Sequence, residues 1–154
     1  MKKTIFDPSA RAELITRANS LRPDSKGKWG RLQAPQMIKH LHEACRMAFD
    51  EVSIPDQSNF FTRSIVKWLF LSNVKPPGRE KGKIKTFPPI DVVERKIAVA
   101  DMETELREYG EILERINNAA ELNKKHPLFG KMSRADWGFL TYAHGDYHLT
   151  QFNV

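Results

Sequence analysis

A second cysteine is missing from this chain of 154 residues, in which Cys45 stands alone. Its solitude excludes an intrachain disulfide and the small stapled folds of secreted domains, and makes the cytoplasm the expected compartment. Long apolar runs are missing too. The one stretch that could suggest a membrane, Ser64 to Leu71, is interrupted by Lys67 and falls far short of the ~20 apolar residues that a spanning helix needs. It reads instead as a buried helix that also contributes to a subunit interface. No leader peptide is expected, because the apolar stretch after Met1-Lys2-Lys3 ends at Asp7-Pro8. Strand-like alternation and internal repeats are absent, which argues against a sheet protein or a solenoid.

Acidic residues are in the minority, with 19 Asp and Glu against 25 Lys and Arg for a formal charge of +6. Basic balance points to a nucleic-acid partner only where the charge is clustered and interleaved with aromatic residues. The clearest cluster, Lys75, Arg79, Lys81, Lys83 and Lys85, lies in a Pro- and Gly-rich stretch without such a motif. It reads as a long, solvated basic loop, and nucleic acid ranks last among the partners considered. Length and a 40% hydrophobic content suit one domain, residues 1–154, with a real core.

What the chain does have is helical periodicity, and the class expected is all-α. Asp7-Pro8 offers an N-cap followed by a proline where its missing N–H does no harm, and Leu14, Ile15, Ala18 and Leu21 mark one face. A second helix opens at Pro35 and runs to Val52 through Met37, Ile38, Leu41, Ala44, Cys45, Ala48 and Phe49. A short helix is expected over Phe60 to Ser72. Asp91 with Glu94 reads as a cap leading into a long helix whose seam is Met102, Leu106, Tyr109, Leu113, Ile116 and Ala120. Ser133 through Asp136 reads as the capping box of a last helix that is buried over much of its circumference.

On that last helix His144 and His148 are four residues apart, which places both imidazoles on one face roughly 6 Å apart along the axis. Such a pair can converge on one metal ion if a third ligand arrives from another helix. Another pair, His40 and His42, lies on the second helix, each about 100° to one side of the apolar stripe, so helical geometry does not choose between them. His126, beside Pro127, reads as a loop residue and not a ligand. Cys45 reads as a small packing residue, Trp29 and Trp137 as core. Gln151, one turn beyond His148, either orients a ligand or hydrogen-bonds inside the bundle.

Two segments carry a family resemblance. Trp29-Gly30 with Gln36-Met37-Ile38-Lys39-His40-Leu41 resembles a Trp-Gly…Gln-Met-x-x-His-Leu signature of the DinB-like superfamily, also described as the YfiT-like metal-dependent hydrolases. The segment from His126-Pro127-Leu128-Phe129-Gly130 through Trp137 to His144-x-x-x-His148-x-x-Gln151-Phe152 resembles the ending of one uncharacterised branch. This resemblance implies an up-down-down-up four-helix bundle, often dimeric, here with an additional short helix. It further implies a divalent metal, zinc or nickel first and iron next, held by His40, His144 and His148, and it assigns His42 no ligand role. Tyr147 departs from the branch, where a histidine commonly precedes the last ligand, and Ala34 replaces a hydroxyl residue.

Three neutral imidazoles leave a divalent ion its full charge and an open position, the mark of a catalytic site. Zinc so held brings the pKa of bound water to about 7. The same charge favours a bound thiolate, and some relatives of the superfamily transfer low-molecular-weight thiols such as bacillithiol, mycothiol or glutathione. The function expected is therefore a metal-dependent enzyme acting on a small molecule by hydrolysis or thiol transfer, with the catalytic residues left open. A non-catalytic, dimeric metal-binding or stress-associated bundle is the alternative.

Overall fold

The computed structural model of the chain describes residues 2–71 and 88–154, and those residues are mostly helical. The basic cluster at residues 75–85 lies outside them. Five α-helices follow in order: α1 (Pro8–Asn19), α2 (Ala34–Arg46), α3 (Lys67–Leu71), α4 (Met102–Asn118) and α5 (Arg134–Gln151). A two-residue antiparallel pair, β1 (Lys125–His126) and β2 (Gly130–Lys131), precedes α5, with His126 opposite Gly130. The sequence held no signal for it, since two residues per strand are too few for a period of two to register.

Helix starts follow the local chemistry. The Asp7 carboxylate accepts from the Ser9 N–H at 2.9 Å, with Pro8 in the first turn. At α5 the capping box is complete: the Ser133 hydroxyl accepts from the Asp136 N–H at 3.1 Å, and the Asp136 carboxylate accepts from the Ser133 N–H at 3.0 Å. Helix α2 opens on a similar pairing, the Gln33 N–H donating to the Gln36 side chain at 2.9 Å. It runs into a 3-10 turn (Met47–Phe49) and stops at Asp50, which is left-handed at φ 59°, so the expected extension to Val52 is cut short.

The long helix begins later than expected. Asp91 does cap, taking the N–H groups of Val93 and Glu94 at 3.1 and 3.0 Å, but what it caps is an isolated turn that closes at Lys96, φ 50°. The true cap is Asp101, whose carboxylate accepts from Thr104 at 3.0 Å.

The core lies where α1, α2, α4 and α5 meet. Helix α2 packs along α4 and α1 along α5, with lesser contacts between α1 and α4 and between α2 and α5. Leu14, Met37, Ile38, Leu41, Leu113, Ile116 and Leu149 are fully buried there, each worth about 1.5–3 kcal/mol relative to exposure. Helix α5 is approached on more than one side. A Cβ on Gly145 would stand 2.8 Å from the Tyr109 hydroxyl, so only glycine lets α4 come this close. Trp137 is buried and donates its indole N–H to the Asn123 carbonyl at 2.7 Å.

Two expectations about burial need correction. The stretch around α3 is not a buried helix. It enters through a π-helical turn (Thr62–Val66), and Phe60, Phe61, Ile65 and Trp68 are 86, 56, 49 and 62% exposed. Its apolar content is real, but those four side chains stay exposed while Lys67 ties the segment to α5, its ammonium 3.1 Å from Asp136. Trp29 is half-buried in a surface loop and not core, with its indole N–H donated to the Tyr147 hydroxyl. Among the described residues no helix is long and apolar enough to cross a membrane.

Candidate metal centre

Three of the five histidines meet. His40 from α2 and His144 and His148 from α5 each offer one ring nitrogen, and these atoms all lie within 4.8 Å of one another. Their rings stand edge to face: centroids are 5.0 Å apart for His40 and His144, 4.9 Å for His40 and His148, and 4.8 Å for His144 and His148, at interplanar angles of 87, 72 and 70°. His40 and His148 are buried and His144 is half-buried.

The outer nitrogens decide which inner ones carry lone pairs. His40 Nδ1 lies 3.2 Å from the Ile90 carbonyl oxygen, which can only accept, so Nδ1 holds the proton and Nε2 is left bare. That bare Nε2 points at His144 Nε2, 3.1 Å away. An N···N separation of 3.1 Å is close to the edge of about 3.3 Å in a tetrahedron with metal–nitrogen bonds of 2.0–2.1 Å.

His148 follows the same rule through a side chain. Its Nδ1 lies 2.8 Å from Gln151 Oε1, and the Gln151 amide nitrogen donates to the Trp29 carbonyl. Because that carbonyl requires a donor, the amide is fixed with Oε1 toward the histidine, so His148 Nδ1 donates and its Nε2 keeps the ring's lone pair. Gln151 is buried and hydrogen-bonds inside the bundle, with the His148 ring as one of its partners.

The loop that receives Gln151 is shaped for it. Gly30 sits at φ 82°, and a Cβ there would collide with the Gln151 amide nitrogen. The Lys28 N–H donates to the Gln151 backbone carbonyl at 2.7 Å, and the Trp29 indole donates to the Tyr147 hydroxyl at 3.2 Å. Tyr147 thus serves as an acceptor for the loop, with its ring 4.9 Å from that of His148.

Burial lowers the pKa of His40, against the smaller opposing pull of the Ile90 hydrogen bond and the Asp91 charge. The ring is therefore neutral near pH 7, as a ligand must be. Three imidazole nitrogens, two of them on rings whose outer N–H groups are tied to protein acceptors, fit a borderline divalent ion such as zinc, nickel or iron(II).

The other expected residues lie apart. His42 faces away toward Glu108 and Glu43, its Nδ1 3.7 and 3.9 Å from their carboxylates, beside a cleft of about 270 Å³ lined by His42, Glu108, Glu111, Ile112 and Arg115. His126 is no ordinary loop residue. It is buried on β1, its Nδ1 accepts from the N–H groups of Leu128 and Phe129 at 3.2 and 3.3 Å, and burial, then the nearby Lys67, pushes its pKa down to about 4. Cys45 is buried and its thiol is pushed up to about 12 by desolvation, which suits packing and not nucleophilic attack.

Three contributors carry no sequence signature of a metal centre: the Ile90 and Trp29 carbonyls and the Asp91 carboxylate. Backbone acceptors have no residue-type signature, and Asp91 was spent on a helix cap. Gly30 was the readable trace, because a glycine beside Trp29 fits a close approach of another chain segment.

Residues 6–154 match the family described as "Protein of unknown function (DUF1569)". The chain is a member of the DUF1569 family. No curated protein and no solved structure matches it. The histidine cluster therefore belongs to a DUF1569 domain that spans nearly the whole chain.

Proposed function

We propose that this DUF1569 protein is a metal-dependent enzyme that holds one divalent cation between His40, His144 and His148 and acts on a small molecule by hydrolysis or thiol transfer. The observation that carries the reading is the double anchoring of the candidate ligands. His40 Nδ1 on the Ile90 carbonyl and His148 Nδ1 on Gln151 turn the opposite ring nitrogens toward one point from two helices. A divalent cation between the three rings would take one nitrogen from each as a common donor set.

The helix packing, with α1 and α5 paired and α2 and α4 paired, supports a DinB-like up-down-down-up bundle as the setting, in one domain. In this bundle His40 reaches the site from α2 while α5 supplies the other two, which is the ligand distribution of that superfamily. A bound divalent ion supplies Lewis acidity toward a water or thiol at the position that three protein ligands leave open. The chain's own part is to hold the three rings in place, two of them through their outer nitrogens. Half-buried His144 marks the side from which a small molecule approaches.

One observation favours the non-catalytic reading, a metal-binding bundle. Two described cavities, the cleft at His42 and a groove of about 850 Å³ between α1 and α4 lined by Ile15, Met102, Leu106 and Gly110, lie away from the histidines. Elemental analysis of purified wild type and His148→Ala, paired with melting before and after chelation, tests the metal. Wild type should hold about one equivalent and lose stability on chelation. Equal metal in His148→Ala would refute the ligand set. Saturable protection of the metal-loaded wild type by a low-molecular-weight thiol separates enzyme from bundle.

A further inference from the structure

Two segments far apart in sequence hold the outer nitrogens of two candidate ligands, and one ion pair joins them. Ile90, which accepts from His40 Nδ1 at 3.2 Å, is followed by Asp91. Trp29, which accepts from Gln151, is followed by Gly30 and Arg31. Arg31 donates through Nη2 to Asp91 Oδ2 at 2.7 Å, and the same nitrogen lies 3.3 Å from Glu94. The connections form a closed circuit: His40, Ile90, Asp91, Arg31, Gly30, Trp29, Gln151 and His148, whose ring stands 4.9 Å from that of His40.

We infer that Arg31 is a positioning residue for the metal centre, closing this circuit and fixing the two histidines relative to each other. The inference rests on the three-histidine reading given above. Without Arg31 the loop at residues 28–31 still grips α5 through Gln151 and Tyr147, and the turn at 90–94 still grips His40. What is lost is the link between the grips. The carboxylate divides its work accordingly: Asp91 Oδ1 caps the Val93 and Glu94 N–H groups, which holds the turn, while Oδ2 takes the guanidinium. An exposed surface ion pair is worth about 0–1 kcal/mol, too little for Arg31 to matter through stability alone. In this pair, however, Asp91 is buried, and the pair spans two supports of one donor set. Changing the outer partners of metal ligands typically costs about 10–100-fold in affinity, and a link one step further out should cost a fraction of that.

The test is a cobalt(II) titration of metal-free protein, followed by visible absorption, for wild type, Arg31→Ala, Arg31→Lys, Asp91→Asn and the Arg31→Ala/Asp91→Asn double variant. Arg31→Ala should weaken cobalt binding about fivefold and alter the ligand-field bands, with the melting temperature of the metal-free protein little changed. Arg31→Lys should recover part of the loss. The double variant should be no weaker than the worse single one, because both cut the same link. Cobalt binding and a spectrum equal to wild type in Arg31→Ala would overturn the inference while leaving the three-histidine site standing. So would losses that multiply in the double variant, or a lowered melting temperature with unchanged affinity. A wild type that binds no cobalt would remove the site itself, and the positioning role with it.

Discussion

His40 and His42 lie two residues apart on α2, equally borderline by helical geometry, yet their surroundings differ in kind. His40 has its outer nitrogen tied to a backbone carbonyl and its inner one aimed at two more imidazoles. His42 has carboxylates at ion-pair range, and its buried Nδ1 has no hydrogen-bond partner among the described residues. Both have lowered pKa values, with burial as the first cause in each. A depressed pKa therefore does not mark the candidate ligand. The tie on the far side of the ring does, because it chooses the tautomer and holds the lone pair in place.

The sharpest way to break this comparison is to delete each histidine in turn. His40→Ala should weaken divalent-metal binding on the order of a thousandfold, about a third of the 10–16 kcal/mol typical of a structural zinc site. His42→Ala should leave affinity within about twofold, since its ring lies outside the cluster. Isothermal titration with zinc reads both, and similar losses in the two variants would erase the distinction.

His126 extends the contrast to a histidine that is buried and tied but belongs to no metal-ligand cluster among the described residues. Its folded pKa of about 4 lies below the 6.5 of an unfolded histidine. The unfolded chain therefore takes up the proton first. The associated stability is fully present above pH 6.5, is lost as pH falls toward 4, and amounts to about 3 kcal/mol at most. Denaturant melts across that window should show wild type losing more stability than His126→Asn, which keeps an acceptor for the Leu128 and Phe129 N–H groups but does not titrate. Parallel pH profiles would show that His126 is not the source.

Gln151→Leu sharpens the role of the outer tie. It removes the acceptor at His148 Nδ1 and the donor to the Trp29 carbonyl while keeping the volume. Metal affinity should fall about 10–100-fold, and an unchanged value would mean that His148 needs no orienting partner. The smallest effect belongs to Tyr147→Phe, which takes the acceptor from the Trp29 indole at the edge of the same loop. About 0.5–1.5 kcal/mol of stability should go, read by chemical denaturation, with metal binding nearly intact.

Legibility in the sequence followed how local the cause was. Asp7-Pro8 and Ser133 through Asp136 marked helix starts correctly because each cap is satisfied within four residues. Asp91 misled for the same reason: it satisfies a turn as well as it would a helix, and nothing nearby announces the left-handed Lys96. The exposed face of Phe60, Phe61, Ile65 and Trp68 was unreadable, since burial depends on what lies opposite and not on the run itself. At the site, the four-residue spacing of His144 and His148 was visible, and family resemblance, not geometry, separated His40 from His42. The link between Arg31 and Asp91 joins residues 60 apart with no shared motif, so only the folded chain reveals it.

The most direct measurement is anomalous diffraction from crystals grown with cobalt(II), collected on both sides of its absorption edge. A metal centre at His40, His144 and His148 requires a single strong peak about 2.1 Å from each of the three Nε2 atoms, with density for an exchangeable fourth group. A peak beside His42 and Glu108 instead, or none near the three rings at full cobalt loading, would contradict it.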